Sequence, residues 1–261
     1  MQLENLTIII PIYIDSEDRL NNAKTVLGYL NKWFKTNVII HELIDKQTNL
    51  NFLDSFKNLN INHIIEHRNG QNYHRTRQLN EMLSLVKTDI VLNYDIDVIL
   101  PVNSYIESYH KIASDFVDVV YPYGNGKFQK RIYQNFDRIK FNIEYDISLI
   151  DNNFDIWDAA VGHCFFIKTQ KYKYIGGENE KFIAYGPEDV ERYERFNKFE
   201  LKIDRISDFV YHFEHYRREF SSYLNPDFQR NEDILREIRN MDIKYLKEYY
   251  SNIDYRIKYN F

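Results

Sequence analysis

The sequence predicts an α/β protein whose mostly parallel sheet is flanked by helices. Short apolar runs rich in β-branched residues alternate along the chain with segments that repeat apolar residues every three or four positions. This alternation is typical of a parallel, doubly wound sheet. From residue 225 onward the pattern is helical only. We therefore expect a main α/β domain over residues 1–220 and a helical extension over residues 221–261 that packs on it.

The predicted elements follow one another in a regular order. Residues 6–13 form a continuous apolar run suited to a central parallel strand, with Pro11 marking where its hydrogen-bond ladder ends. An apolar stripe predicts the first helix over residues 18–34. Further strands are predicted at residues 38–43, 61–65, from 89, and at 117–123, 159–167, 201–206 and 209–212. Further helices are predicted after the Asn69-Gly70 turn, over residues 105–113 and from Pro187, while residues 125–155 are unassigned and expected to lie over the site.

The composition argues against several classes of protein. The chain has 261 residues, 44% of them hydrophobic, and a formal net charge of −5 with a pI near 5.9. This balance argues against broad nucleic-acid binding, so an anionic ligand must be met by a local cluster of arginines. The single cysteine, Cys164, cannot form an internal disulfide, and no secretion signal or membrane-length apolar run is apparent. We expect a cytoplasmic protein, with peripheral contact to the inner face of the membrane left open.

Two carboxylates end the apolar run that begins at residue 89. Asp95 and Asp97 are separated by one residue, and side chains on a strand alternate faces, so both acids are expected on the same side of the sheet. Two oxygen donors aimed at one point from a strand's carboxyl end suit a hard divalent cation that carries a diphosphate. The alternative is that aspartate simply ends the strand and starts a turn.

A pair of arginines opens the helix that precedes this strand. Arg75 and Arg77 lie in its first turn, where cations oppose the helix dipole unless an anion lies nearby. Either arginine alone could pair with Glu66 or Glu81 on the surface. As a pair just before the two aspartates, they indicate contacts to a diphosphate or a ribose.

Acidic residues open the helix that begins at Pro187. Glu188 and Asp189 lie in its first turn, where any helix favours acids. A carboxylate held at a helix N-terminus stays ionised at neutral pH and points outward from the sheet edge. Such a group is well placed to act as a general base.

Two further features are ambiguous on their own. Gly162 lies inside a strand pattern, which indicates either the close approach of a ligand or a packing bulge. His212 and His215, in the segment H-F-E-H, can both reach one metal ion if the backbone turns there. That spacing is more often incidental than a metal site.

Taken in order, these segments resemble the GT-A glycosyltransferases, and more narrowly the β-1,4-galactosyltransferase type and bacterial family-2-like polysaccharide glycosyltransferases. Y-H-R-T-R-Q-L-N at residues 73–80 is similar to the family's F-N-R-A-K-L-L-N, and D-I-D at residues 95–97 to its D-x-D. G-H-C-F-F-I from residue 162, continuing to I-G-G at residues 175–177, resembles the strand before the family's N-G-F. Y-G-P-E-D-V-E at residues 185–191 resembles G-W-G-G-E-D-D-D, and the whole likeness spans residues 6–215.

The resemblance implies a GT-A-type, Rossmann-like fold and a role for each matched position on the donor side. Asp97 would bind the metal directly, and Asp95 would contact the ribose or the metal shell. Arg75 and Arg77 would hold the nucleotide. The remaining residues that we place in the nucleotide-sugar site are Pro11, Tyr13, Glu42, Arg68, Trp157 and Gly162.

On the acceptor side, the resemblance makes Asp189 the catalytic base and Glu188 a ligand of the acceptor hydroxyl. The family's M-x-x-H metal segment falls on His212 and His215, so both histidines are candidate ligands. A set of one aspartate and two histidines suits Mn²⁺ better than Mg²⁺, because imidazole is the softer ligand.

The function that follows is inverting, metal-dependent transfer of a hexose from a UDP-sugar to a hydroxyl of a glycan or glycolipid, in the synthesis of a bacterial surface polysaccharide or capsule. Galactose, N-acetylgalactosamine and glucose remain open as the sugar. One alternative is a metal-dependent hydrolase or phosphatase, in which the two aspartates and two histidines surround a water molecule. Another is a non-catalytic nucleotide-sugar-binding module, since a fold alone does not confer activity.

Overall fold

The structure, a computed structural model, describes residues 1–70, 72–152, 154–217 and 222–261. The strands are β1 (Gln2–Tyr13), β2 (Lys35–Ile44), β3 (Leu59–His67), β4 (Ile90–Tyr94), β5 (Val98–Ile99), β6 (Val119–Tyr121), β7 (Gly126–Ile132), β8 (Phe154–Ala159), β9 (Cys164–Lys168), β10 (Ile203–Arg205) and β11 (Val210–Phe213). The helices are α1 (Glu17–Trp33), α2 (Arg75–Leu85), α3 (Val102–Ala113), α4 (Arg138–Glu144), α5 (Thr169–Tyr174), α6 (Glu188–Lys198), α7 (Phe228–Asn240), α8 (Ile243–Ser251) and α9 (Asp254–Tyr259).

A large sheet forms the centre of the fold, with the strand order β10-β6-β9-β4-β1-β2-β3 in the described part of the chain. In this sheet β9 runs antiparallel to β4 and β6, and the other neighbouring strands are parallel. A smaller sheet has the order β5-β11-β7-β8. The predicted α/β class, with a mostly parallel sheet flanked by helices, is confirmed.

The central strand explains why the first apolar run is uninterrupted. Residues 6–12 of β1 are buried throughout, because β1 lies between β2 and β4 with helices on its faces. Pro11 does not end the ladder as predicted. Pairing with β4 stops at Ile9, but pairing with β2 continues past the proline to Tyr13. A proline removes a single amide donor, and the neighbouring residues of β1 continue the ladder.

The antiparallel strand β9 brings two distant segments together at one edge of the sheet. Tyr94, the last residue of β4, pairs with Cys164, the first residue of β9. One residue further, the backbone N–H of Asp95 donates to the carbonyl oxygen of His163 at 2.9 Å. The chain that follows β4 and the chain that precedes β9 therefore lie side by side at the carboxyl edge of β1 and β4.

The smaller sheet adds the histidine segment to the same place. Val98 of β5 pairs with His212 of β11, and the N–H of Phe213 donates to the carbonyl oxygen of Asp97 at 2.8 Å. This pairing fixes β11 beside the turn that follows β4. The segment of residues 125–155, unassigned from sequence, supplies β7 and α4 and leads into β8.

One predicted element differs from the structure near this edge. The strand predicted at residues 159–167 begins only at Cys164, and Gly162 lies in the turn before it. The chain turns there because His163 has a φ of +64°, which no regular strand allows. Between β2 and β3 the chain forms a short 3-10 turn at Leu53–Ser55.

The C-terminal helices pack on α6 through a second apolar cluster. The spacing of Ile234, Ile238, Met241 and Tyr245 predicts one apolar stripe along a helix. The first three of these residues are buried with Phe182. Tyr245, the fourth member of that stripe, is 56% exposed. The stripe breaks because α7 ends at Asn240 and α8 starts a new helix, so its register changes. None of the helices within the described ranges combines the length and apolar character that a membrane span requires.

Candidate active site

A cleft of about 590 Å³ opens at the carboxyl edge of β1 and β4. Most of the residues predicted for the site line it: Pro11, Tyr13, Arg68, Arg75, Asp95, Asp97, Gly162, Glu188, Asp189, His212 and His215. Its volume is in the range of pockets that hold a small organic ligand. The cleft also takes in side chains that the sequence did not single out, including Arg19, Tyr73, His163 and Tyr185.

One wall of the cleft carries a group of three potential metal ligands. Asp97, His212 and His215 each offer one ligand atom, and these atoms lie within 4.8 Å of one another. Oδ2 of Asp97 lies 3.0 Å from Nε2 of His215 and 3.8 Å from Nε2 of His212. A carboxylate and two imidazoles converging in this way form a donor set suited to a divalent transition metal.

Hydrogen bonds to the other ring nitrogens orient both histidines. Nδ1 of His212 lies 3.0 Å from a carboxylate oxygen of Glu214, and Nδ1 of His215 lies 2.9 Å from the carbonyl oxygen of Tyr216. Because both partners are acceptors, each Nδ1 carries a proton, and each Nε2 faces Asp97, where it can donate to the carboxylate when protonated or bind a metal when deprotonated. Arg131 in turn binds both carboxylate oxygens of Glu214 at 2.6 Å.

The charge of Asp97 also suits a cation. Burial alone would raise the pKa of Asp97, but His212 and His215 lower it well below its ordinary value. The carboxylate is therefore ionised at neutral pH and can serve as a ligand.

Asp95 does not belong to this group. β4 ends at Tyr94, and Asp95 to Asp97 lie in a turn, so the alternation of strand side chains does not apply to them. Oδ1 of Asp95 accepts a hydrogen bond from Arg75 at 2.7 Å, whereas Asp97 faces the histidines. The expectation that both acids point at one metal was therefore wrong in its geometry.

The same cleft is also lined by the two acids at the start of α6. Burial and the neighbouring charge of Asp189 raise the pKa of Glu188 to about 8. Burial would also raise the pKa of Asp189, but Arg192 and Arg75 lower it below its ordinary value. At neutral pH the pair therefore consists of a mostly protonated Glu188 and an ionised Asp189.

A buried network holds Asp189 in place. Arg192, one turn along α6, donates to Oδ1 of Asp189. The other end of its guanidinium binds both oxygens of Glu178 at 2.9 and 3.0 Å, and both side chains are 1% exposed. Glu178 also accepts a hydrogen bond from Tyr172. Because these partners are buried, Asp189 has a defined orientation with Oδ1 occupied.

Arg75 connects the turn after β4 to the acids of α6. Its guanidinium contacts Asp95 at 2.7 Å, Asp189 at 3.7 Å and Glu188 at 4.0 Å. Nη1 of Arg75 and Oε2 of Glu188 are buried without a hydrogen-bond partner among the described residues. Buried polar atoms are usually paired, so these two indicate the position of a polar ligand.

Aromatic and basic side chains line the outer part of the cleft near β1. The rings of Tyr13 and Tyr73 stack with centroids 6.2 Å apart, and the guanidinium of Arg68 lies 5.4 Å from the centre of the Tyr13 ring. The hydroxyl of Tyr13 donates to Asp45 at 2.8 Å and accepts from Arg68 at 2.9 Å. A flat aromatic face beside a cation suits a nucleobase.

Three residues predicted for the nucleotide-sugar site do not line the cleft. Arg77 pairs with Glu66 and Glu81 on the surface, because residues two apart on a helix face different directions and Arg75 faces the cleft. Glu42 is fully buried, and His63 and Thr48 contact its carboxylate.

Trp157 is the third residue outside the cleft. It lies on β8, 50% exposed, with its ring 4.2 Å from the guanidinium of Arg131. Through Arg131 and Glu214, Trp157 supports the orientation of His212. It therefore lies behind the metal group.

Other residues of the site are missed by sequence reasoning alone. Arg192 could have been found from its spacing, since a residue three positions after Asp189 on a helix lies next to it. Glu178 and His163 give no such signal, because their partners are distant in sequence. His163 bonds to Gln129 of β7 at 3.1 Å, a contact that exists only in the folded chain.

Residues 150–218 match a family model described as the N-terminal domain of galactosyltransferase. This segment carries both acids of α6 and both histidines of the metal group. A sequence search of curated proteins finds no match.

Solved structures resemble most of the chain. Residues 1–349 of S. aureus TarS in complex with UDP-GlcNAc align with a TM-score of 0.63 at 15% identity, covering 92% of this chain and 69% of that one. The catalytic domain of Drosophila beta1,4-galactosyltransferase 7 in complex with xylobiose aligns with a TM-score of 0.53 at 12% identity, covering 92% and 82%. A point mutant of that Drosophila enzyme, in complex with manganese, UDP-Gal and xylobiose, aligns with a TM-score of 0.52 at 12% identity, with the same coverage. The predicted GT-A fold is thereby confirmed.

Proposed function

We propose that this chain, which has the GT-A fold of glycosyltransferases, is an inverting, metal-dependent enzyme that transfers a hexose from a UDP-sugar to a glycan hydroxyl. The observation that carries the proposal is the pairing of two chemistries across one cleft. Asp97, His212 and His215 form a metal-ligand set in the cleft, and the ionised Asp189 lines the same cleft. The role in bacterial surface polysaccharide synthesis extends this proposal and rests on the sequence resemblance.

The divalent cation that fits the donor set is Mn²⁺ or Mg²⁺, with Mn²⁺ favoured by the two imidazoles. When bound, the cation supplies positive charge that stabilises the departing diphosphate. Asp97, His212 and His215 would hold it. The complex of the structurally similar mutant with manganese and UDP-Gal agrees with this choice.

The protein groups around the cleft serve a direct displacement. Oδ1 of Asp189 is occupied by Arg192, so Oδ2 is the oxygen that takes the proton from the acceptor hydroxyl. The acceptor oxygen then bonds to the anomeric carbon of the sugar as the bond from that carbon to the diphosphate oxygen breaks. UDP leaves with the electron pair of that bond. The configuration at the anomeric carbon inverts because a single displacement occurs.

Glu188 and Arg75 position the reacting groups. Glu188, mostly protonated at neutral pH, can donate a hydrogen bond to an acceptor oxygen without competing with Asp189 for the proton. The buried Nη1 of Arg75 would find its missing partner in an oxygen of the donor. Tyr13, Tyr73 and Arg68 provide the surface for the base of the nucleotide.

Within the proposal, residues 1–220 form the catalytic domain and residues 221–261 form an extension that supports it. Asn231 of α7 donates to the carbonyl oxygens of Ile183 and Tyr185 at 2.8 and 3.1 Å. Asn225 also donates to the carbonyl of Tyr185, at 2.9 Å. The extension therefore holds the loop that leads into the acids of α6.

Calorimetry of UDP binding tests the proposal first. UDP is expected to bind in the presence of Mn²⁺ and not in EDTA, because the diphosphate would bind to the metal group through the cation. Transfer from UDP-galactose, UDP-N-acetylgalactosamine and UDP-glucose to a panel of glycans is then measured. Steady release of free phosphate or free sugar without an acceptor would instead support a hydrolase. Nucleotide-sugar binding without turnover on any acceptor would support a binding module.

A further inference from the structure

His163 lies in the cleft in a strained turn. Its φ is +64°, and the N–H of Cys164 donates to the carbonyl oxygen of Gly162 at 2.8 Å, which closes a three-residue γ-turn. A γ-turn with positive φ is rare and strained, and left-handed backbone is unfavourable for a residue with a Cβ atom. Strain of this kind persists where the surrounding structure imposes it, and it concentrates at functional sites.

The turn lies between the two chemistries of the cleft. The ring centroid of His163 is 5.7 Å from that of His212, in the metal group. On the other side, a Cβ added at Gly162 would lie 3.1 Å from Oδ2 of Asp189. A hexose that passes from the diphosphate to the acceptor must occupy the space between the metal group and the base. His163 therefore borders the space that the transferred sugar fills.

Hydrogen bonding leaves one nitrogen of this ring available. Nε2 lies 3.1 Å from Oε1 of Gln129, so Nε2 carries the proton and Nδ1 presents a lone pair. Within the described ranges, Nδ1 has no hydrogen-bond partner. The edge of Tyr123, with its ring centroid 5.7 Å from that of His163, holds the ring in place.

We infer that His163 is a specificity-determining residue that accepts, through Nδ1, a hydrogen bond from a hydroxyl of the donor hexose. The inference rests on the proposed function and names the sugar contact within it. The strained γ-turn holds the ring in the sugar space, and the bond to Gln129 sets the tautomer that makes Nδ1 an acceptor.

The test combines a variant with altered substrates. The UDP-hexose that the wild type transfers is compared with its monodeoxy analogues, each lacking one hydroxyl. In the wild type, one analogue is expected to lose about tenfold in kcat/KM, the effect of a single hydrogen bond. In His163→Gly, kcat/KM for the parent donor is expected to fall about tenfold, so that the parent donor and that analogue have the same kcat/KM. The Kd of UDP with Mn²⁺ changes less than about twofold, because UDP has no hexose.

Two further variants control for the backbone. Glu200 is exposed just beyond the C-terminal end of α6 and also has a positive φ (+59°). The variant Glu200→Gly removes comparable strain and is expected to leave the donor preference unchanged. His163→Asn tolerates positive φ and retains an oxygen acceptor, so it is expected to keep part of the discrimination.

Each outcome bears on a different claim. If every deoxy analogue lowers kcat/KM in His163→Gly by the same factor as in the wild type, the sugar contact is refuted while the transferase proposal stands. If the wild type neither binds UDP with Mn²⁺ nor transfers any hexose, the proposed function fails and the inference fails with it. An equal weakening of UDP and UDP-hexose binding would show that His163 only supports the metal group and does not contact the sugar.

Discussion

Asp189→Asn is the substitution that best distinguishes the roles of the two acids at the start of α6. The substitution preserves shape and removes the charge that accepts the proton. Arg192 stays paired, because Glu178 still binds it at 2.9 and 3.0 Å, and the new amide oxygen can replace Oδ1 beside it. The fold should therefore lose only about 1–3 kcal/mol, the cost of weakening one buried hydrogen bond to a charged group.

The effect on transfer should be far larger. A positioned general base contributes about 10²- to 10⁴-fold to a rate. Asp189 pairs with Arg192 and Arg75 and is not one of the three metal-group residues. Therefore kcat should fall by that factor while the Kd of UDP with Mn²⁺ stays within about twofold.

Glu188→Gln is the matched control. With a pKa of about 8, Glu188 is mostly protonated at pH 7, and glutamine resembles the protonated acid in shape and neutrality. The kcat of this variant at pH 7 should therefore stay within roughly threefold of the wild type, because glutamine can still hydrogen-bond the acceptor hydroxyl.

Steady-state transfer assays at pH 7 and calorimetry with UDP and Mn²⁺ measure both variants. A near-normal kcat in Asp189→Asn, with UDP still bound, would remove Asp189 as the base. A large loss in Glu188→Gln together with retained activity in Asp189→Asn would show that the two roles are reversed.

Three further outcomes are expected. The pKa of Glu188 in the folded protein lies above its unfolded value of about 4.5, so deprotonation of Glu188 destabilises the fold. Between pH 5 and 8 the free energy of unfolding of the wild type should therefore fall, relative to that of Glu188→Gln, by at most about 1.4 kcal/mol per pH unit, and the difference should level off above pH 8. A difference in urea unfolding that stays constant with pH would contradict this. Asp97→Ala should abolish metal-dependent UDP binding in calorimetry, and an unchanged Kd would remove Asp97 from the metal. Arg75→Ala should lower kcat/KM at least about tenfold while Arg77→Ala, which loses only surface pairs, changes it less than about threefold; equal losses would contradict the assignment of Arg75 alone to the cleft.

Local patterns in the sequence specify the elements and several chemical groups. The apolar run of β1, the helix start at Glu188 and the acids after β4 all depend on neighbours within a few positions, which is why their spacing predicts them. The two histidines of H-F-E-H were likewise visible as candidates from spacing alone.

Only the tertiary structure decides which of these groups meet. The antiparallel pairing of β9 with β4 places His163 beside Asp95, and the pairing of β11 with β5 places His212 beside Asp97. A sequence does not display such pairings, because they join residues from about 70 to more than 100 positions apart. The structure also separates Arg75 from Arg77, since residues two apart on a helix face different sides. Burial raises the pKa of Glu188, whereas Arg192 and Arg75 lower the pKa of the neighbouring Asp189.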